Sequence, residues 1–288
     1  MYSPKDYWAG LAEGFESMDA AGFAPVLHPQ APDWFNQVID DLQFRAIRRA
    51  IAIAAIAPGA RCLDVGCGTG RWVRRYTELG FSPVGVDATF GMLRIARTCQ
   101  TNVLLAAALA QRLPFSDSAF DWLSDITVVQ HIPYDLQSTA IREMVRVLRP
   151  GGRMILMELT RGQGSHIFPR PPREWIGEVE SHGTALIDWF GEEFFFPDRL
   201  FVRLAQSFYG RKDDHVDRVQ SPLPNSLLSK KSSMSNRLYW QLRRITVPFS
   251  AWAEPAFVKI CPAFLATHGV FVFEKVDSQR TSIDENAY

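Results

Sequence analysis

Cysteine is scarce. Cys62, Cys67, Cys99 and Cys261 are the whole complement, and no two of them form a Cys-x-x-Cys pair. A disulfide framework is excluded, and reduced thiols in a cytoplasmic protein are the expectation. Net charge is absent too: 31 Lys and Arg balance 31 Asp and Glu, so no global field recruits nucleic acid or an acidic partner. The N-terminus shows no basic region followed by an apolar core, and no apolar run is long enough to span a bilayer. There is no internal repeat and no low-complexity tract. The six histidines (His28, His131, His166, His182, His215, His268) show no pair at ligand spacing with cysteine or carboxylate, so no metal is expected. What the chain does have is 288 residues, 47% of them hydrophobic, enough for one full core with an insertion.

The most informative stretch is Cys62–Asp87. Cys62–Val65 reads as a short buried strand carrying an acid, Asp64. Gly66, Gly68 and Gly70 turn the chain, Arg71–Leu79 has a helical pattern, and Ser82–Val86 is a second strand closed by Asp87. Strand, glycine turn, helix and acid-ended strand make one half of a nucleotide-binding α/β fold. Glycines suit the turn because they reach positive φ and let a ligand touch backbone N–H groups at the helix start. Asp87 is placed to accept both hydroxyls of a ribose. Asp64 just before the turn would repel a pyrophosphate and welcome an ammonium group. Arg71 stands where the dinucleotide fingerprint wants its last glycine.

On Leu63-Asp64-Val65-Gly66-Cys67-Gly68-Thr69-Gly70 the sequence resembles the class I S-adenosylmethionine-dependent methyltransferases. Leu109–Phe115 resembles that family's Asp-Ala-Glu-x-Leu-Pro-Phe stretch, with Leu109 in place of the acid and Gln111 in place of Glu. Arg146–Gly152 resembles its helix-ending RVLKPGG. The resemblance covers roughly 33–159. It implies an α/β, Rossmann-like, seven-stranded sheet with helices on both faces and a late antiparallel strand, for which Thr267–Val276 is the candidate. It also implies S-adenosyl-L-methionine as cofactor. Asp64 would bind the methionine ammonium, with Gly66, Gly68 and Gly70 giving close backbone approach and Arg71 nearby. Asp87 would hold the ribose, Ala88 and Met92 would lie beside the adenosine, Ala110 and Gln111 would flank the adenine, and Ile126 would line the methionine side.

Other elements are read from spacing. The glycines and prolines of 1–32 interrupt any helical pattern there, and Tyr7 and Trp8 lie over a ligand or pack. Asp33 is the expected N-cap of a helix over Trp34–Ala57, stopped by Pro58-Gly59. The fourth strand is expected to run from Phe120 through Val129. His131 follows it at the edge where open α/β sheets bind ligands, and is the candidate general base. A histidine that caps the next helix or contacts backbone is the alternative. Glu158 and His182 rank behind it.

The expected organisation is an N-terminal lid (1–32), an α/β core (33–196), an inserted cap (197–262), a last core strand (263–276) and a tail (277–288). Between Arg218 and Ala253 the cap has no acidic residue. It carries Arg218, Lys230, Lys231, Arg237, Arg243 and Arg244 among Tyr239, Trp240, Phe249 and Trp252. Such a surface suits an anionic acceptor or an anionic membrane, or is simply a solvated face. A helix over Ser235–Val247 would put Leu238, Leu242 and Ile245 on one side. The expected activity is methyl transfer to a small-molecule, glycan or lipid-linked acceptor. The alternatives are a protein or peptide N-methyltransferase and a non-catalytic cofactor-binding partner subunit.

Overall fold

The computed structural model describes residues 3–14, 27, 31–99, 103–162, 164, 166–195, 198–202, 204 and 233–277. Seven strands form one sheet: β1 (Arg61–Val65), β2 (Ser82–Asp87), β3 (Leu104–Ala107), β4 (Phe120–Ile126), β5 (Leu148–Leu159), β6 (Thr184–Glu192) and β7 (His268–Lys275). Their order is β3-β2-β1-β4-β5-β7-β6, and β7 runs antiparallel between β5 and β6. The chain leaves β1 for β2 on one side and returns to β4 on the other. That makes the carboxyl ends of β1 and β4 the topological switch point.

Side-chain alternation along the strands builds two cores. Leu63, Leu123, Leu156 and Phe271 pack with α5 (Tyr134–Val147) and α6 (Pro172–Glu180). Their sequence neighbours Cys62, Trp122, Ile155 and Val270 pack on the opposite side, with α2 (Asp33–Ile53) and α3 (Arg71–Glu78). Adjacent residues facing opposite ways is the period of a strand covered on both faces.

Four expectations about the elements need correction. Pro4–Gly14 is a helix, α1. Proline is tolerated in a first turn, and the space around Gly10 is open, so nothing there depends on a side chain. Asp33 lies inside α2, whose cap position is Pro32 with no side-chain bond. That helix ends at Ile53, before Ala55 turns at φ 49°. β4 stops at Ile126 because Thr127 takes a left-handed φ of 59°, and a 3₁₀ turn over Val129–His131 follows.

The excursion between β6 and β7 leaves from and returns to the carboxyl edge, because β6 runs parallel to β5 and β7 antiparallel to it. Its described part is dominated by α7 (Ser233–Ile260). Tyr239, Arg243, Val247, Ser250, Ala251 and Glu254 are its buried side, and Val247 and Ala251 pack on Phe35, Ile39 and Leu42 of α2. Arg243 is therefore not part of a basic surface. Its guanidinium is buried on Asp198, with Nε donating to Oδ1 at 3.0 Å. The acid that balances it lies outside the acid-free stretch. Arg218, Lys230 and Lys231 lie outside the described residues.

Candidate functional site

The glycine turn forms as expected. Gly66, Gly68 and Gly70 take φ of 65°, 52° and 76°. At Gly66 a Cβ would also collide with the Val128 side chain, so the turn sits against the loop that follows β4. Asp87 ties this turn to β2. Its Oδ2 accepts the Gly68 N–H at 2.9 Å and its Oδ1 the Thr89 N–H at 2.7 Å. The Thr89 hydroxyl bonds the same carboxylate, which still has acceptor capacity for a further donor. Burial raises the Asp87 pKa, and the two N–H bonds and the Thr89 hydroxyl oppose the shift. Ala108 N–H donates to the Asp87 carbonyl at 3.0 Å, which starts the loop of Ala110 and Gln111 beside that acid. Ala88, Ala110 and Gln111 are half-buried.

Asp64 is buried next to the turn. Ser124 Oγ donates to its Oδ1 at 3.0 Å, while its Oδ2 has no hydrogen-bond partner. Burial pushes its pKa up to about 7 against the pull of Ser124 and Arg71, with Asp87 adding to the rise. An unsatisfied buried carboxyl oxygen costs free energy unless a donor meets it.

Beyond it lies a pair that sequence reasoning did not bring together. Asp125 is fully buried with neither carboxyl oxygen hydrogen-bonded to a donor. It faces Glu158, which accepts the N–H groups of Val128, Val129 and Gln130 at 2.9, 3.0 and 2.9 Å. Burial lifts the Asp125 pKa, and burial with the repulsion of Asp125 lifts Glu158 well above the carboxylate range. One proton held between the two converts repulsion into a carboxyl–carboxylate hydrogen bond. Glu158 thus holds the 3₁₀ turn that carries His131. Its position near the carboxyl end of β5 was the available signal. Asp125, an acid beside Ile126 at the carboxyl end of a buried strand, was the signal overlooked.

His131 is buried, and neighbouring bonds settle its tautomer. Gln130 Oε1 accepts the Leu159 N–H at 2.7 Å, which points the amide Nε2 at His131 Nε2, 3.3 Å away. His131 Nε2 is therefore the acceptor, and Nδ1–H donates to the His166 carbonyl at 3.0 Å. Burial drives the imidazole pKa down to about 3, so the ring is neutral at physiological pH. Both nitrogens being bonded, one of them to backbone, matches the alternative reading of this residue. Around it, His166 stacks at 5.5 Å, and Trp8 of α1 meets it edge-on at 5.1 Å. Tyr7 stacks on His166 at 4.5 Å. At its other end α1 reaches α4 (Phe90–Cys99), where a Cβ on Gly91 would meet Ala12 at 2.8 Å. One helix thus touches both the start of α4 and the turn after β4.

Several expected site residues are held in contacts within the protein. Arg71 is buried, with Nη1 on Asp40 at 2.8 Å and Nη2 on Gln43 at 2.9 Å, so it joins α3 to α2. Ile126 packs in the core with Trp72 and Met157, and Met92 is fully buried. His182 bonds Ser138 at 3.1 Å near the amino end of β5, at the opposite edge of the sheet.

Known proteins resemble the chain in sequence and in fold. Residues 63–156 match the family model described as a methyltransferase domain. A demethylmenaquinone methyltransferase of Renibacterium salmoninarum is 32% identical over 130 residues, 44% of this chain and 54% of that protein. The ubiquinone/menaquinone biosynthesis C-methyltransferase UbiE of Ectopseudomonas mendocina is 31% identical over 165 residues, 53% of this chain and 63% of that protein. The chain therefore spans less than two thirds of the length of these relatives. Among solved structures, the [4+2]-cyclase SpnF gives a TM-score of 0.52 at 18% identity, over 81% of each chain. Phosphoethanolamine N-methyltransferase 2 of Haemonchus contortus gives 0.52 at 16%, over 96% of this chain and 61% of that one. Such identities speak for fold alone, and the fold also serves a cyclase, so the reaction is read from the sequence match and the site. Residues 63–156 thus match a methyltransferase domain, and the seven-stranded α/β core around them has the Rossmann-like fold that such domains share.

Proposed function

We propose that the chain transfers a methyl group from S-adenosyl-L-methionine to a small-molecule acceptor. The observation that carries the reading is the buried, unpartnered Oδ2 of Asp64 beside a positive-φ glycine turn. It is an acceptor waiting for a cationic donor, at the end of the strand where the ligand's amino acid belongs. The bound cofactor supplies a methyl already activated on a sulfonium, so the protein's task is alignment and exclusion of water. In this reading Asp64 takes the ammonium, Gly66–Gly70 allow close backbone contact, and the Asp87 carboxylate takes the ribose. Ala88, Ala110 and Gln111 flank the adenine. Arg71 acts at one remove by holding the turn to α2, while Met92 and Ile126 support the site from the core.

The acceptor side is assigned to the rings of Tyr7, Trp8 and His131 and to the excursion between β6 and β7. Relatives named for quinone methylation support a small ring-bearing acceptor. A neutral His131 with bonded nitrogens positions such a ring and is a weak base. The test is transfer of an isotope-labelled methyl group from the cofactor into the small-molecule fraction of a cell extract. Label confined to protein would favour a protein acceptor, and no transfer despite cofactor binding would favour the non-catalytic alternative.

A further inference from the structure

The outer face of α7 is apolar, basic at its margins and uncovered by any described residue. Leu242, Ile245, Phe249 and Trp252 recur at intervals of three and four, so they share one side of the helix. They are 42%, 70%, 54% and 75% exposed, and Ile260 further along is 74% exposed. Pro248 and Pro255 are exposed between them, and among the described residues of the helix Arg244 and Lys259 are exposed cations. Arg45 of α2 flanks the same helix, donating to the Ala251 carbonyl at 3.3 Å. The only acid of α7 is Glu254, and it is buried, accepting the Phe194 N–H at 2.7 Å. The outer face therefore carries cations and no anion. The inner face is fixed by the Arg243–Asp198 pair and by packing on α2, so the helix cannot roll to hide its apolar side without breaking a buried ion pair.

We propose that this face of α7 lies in the headgroup layer of an anionic lipid bilayer, parallel to the surface. A row of large apolar and aromatic side chains with arginine and lysine beside it, and no acid, is what partition into that layer requires. A protein partner's interface would need no such bias of charge sign, whereas anionic phosphates do. Spanning is a different matter: among the described residues no helix is long and apolar enough to cross a membrane. The face sits on the excursion that starts and ends at the carboxyl edge of the sheet, so a bilayer docked there lies on the acceptor's side of the core.

The test is co-sedimentation of the full chain with vesicles of equal parts phosphatidylcholine and phosphatidylglycerol, at low and high salt. The wild type is expected to sediment, about tenfold less well on pure phosphatidylcholine or in high salt. Phe249→Ser with Trp252→Ser should lose at least tenfold while keeping wild-type affinity for S-adenosylhomocysteine, which certifies the fold. Arg244→Gln with Lys259→Gln should lose only the anionic preference. Three results would overturn the proposal. One is a wild type that never sediments. Another is a concentration-dependent dimer that the Phe249/Trp252 variant abolishes, making a second copy the occupant. The third is sedimentation only after removal of residues 205–232, making the chain itself the cover. Failure of methyl transfer would leave each of these readouts intact.

Discussion

At the scale of single residues, His131 stands after β4, where it was expected, with both ring nitrogens bonded within the protein. Its position after β4 was legible from the order of strands. Its partners were not, because His166 lies 35 residues away and the Gln130 amide is oriented by Leu159. A ring with a pKa near 3 and both nitrogens bonded gives little general-base assistance at neutral pH. His131→Gln is therefore expected to lower kcat by less than about tenfold and to leave its pH profile between 6 and 8 unchanged, whereas loss of a working base costs about a hundredfold or more. Steady-state kinetics across that range checks it. A hundredfold loss, with a wild-type ionisation near neutrality that vanishes in the variant, would restore the general base. Asp64 and Asp87 were readable because the motif is local: acid, glycines and second acid all fall within Leu63–Asp87.

At the scale of elements, α2 holds the cofactor turn through buried charge. Asp40 accepts from both Arg71 and Arg75, and Gln43 links Arg71 onward to Glu193, which bonds His268 at the start of β7. Asp40→Ala would strand two arginine guanidinium groups, and breaking such a pair costs about 3–5 kcal/mol. Denaturant unfolding should show that loss, and a change under 1 kcal/mol would mean that solvent reaches these arginines freely. Local pattern announced α2, α3, β1 and β2 because burial leaves its period in the sequence. It was silent on α1, where proline and glycine argued against a helix that Tyr7 and Trp8 dock onto the site. It also placed Arg243 on a surface. The partner that buries it, Asp198, is 45 residues away in sequence, and no local spacing records a contact of that kind.

At the scale of the molecule, buried carboxyl groups give stability a slope with pH. Burial pushes Asp64 and Glu254 up to about 7 and raises Asp125 as well. Burial, with Glu254 and Glu193 repelling it, takes Glu192 to about 9. A carboxyl raised in the folded state keeps a proton that the unfolded chain releases near its ordinary value. Its contribution is full below about pH 4 and is lost as pH rises through the folded pKa. His131 has the opposite sense: buried neutral, it loses stability as pH falls below the unfolded imidazole value of about 6.5. Melting temperature should thus decline from pH 6.5 to 9, and Glu192→Gln should flatten the upper part of that decline. Scanning calorimetry in matched buffers checks it, and a melting temperature that rises toward pH 9 would contradict the assignment.

The central claim is that the turn between β1 and α3, with Asp87 at the end of β2, holds S-adenosylmethionine. Titration calorimetry with S-adenosylhomocysteine, which keeps the ribose and the ammonium, tests it most directly. The wild type should bind one equivalent. Asp87→Ala should lose about 2–4 kcal/mol, roughly 30- to 1,000-fold in affinity, by analogy with truncated buried charge contacts. Asp87→Asn, which keeps an acceptor for one N–H of the turn, should fall between the two. Unchanged affinity in a folded Asp87→Ala, or a wild type that takes NAD in preference to S-adenosylhomocysteine, would contradict the account.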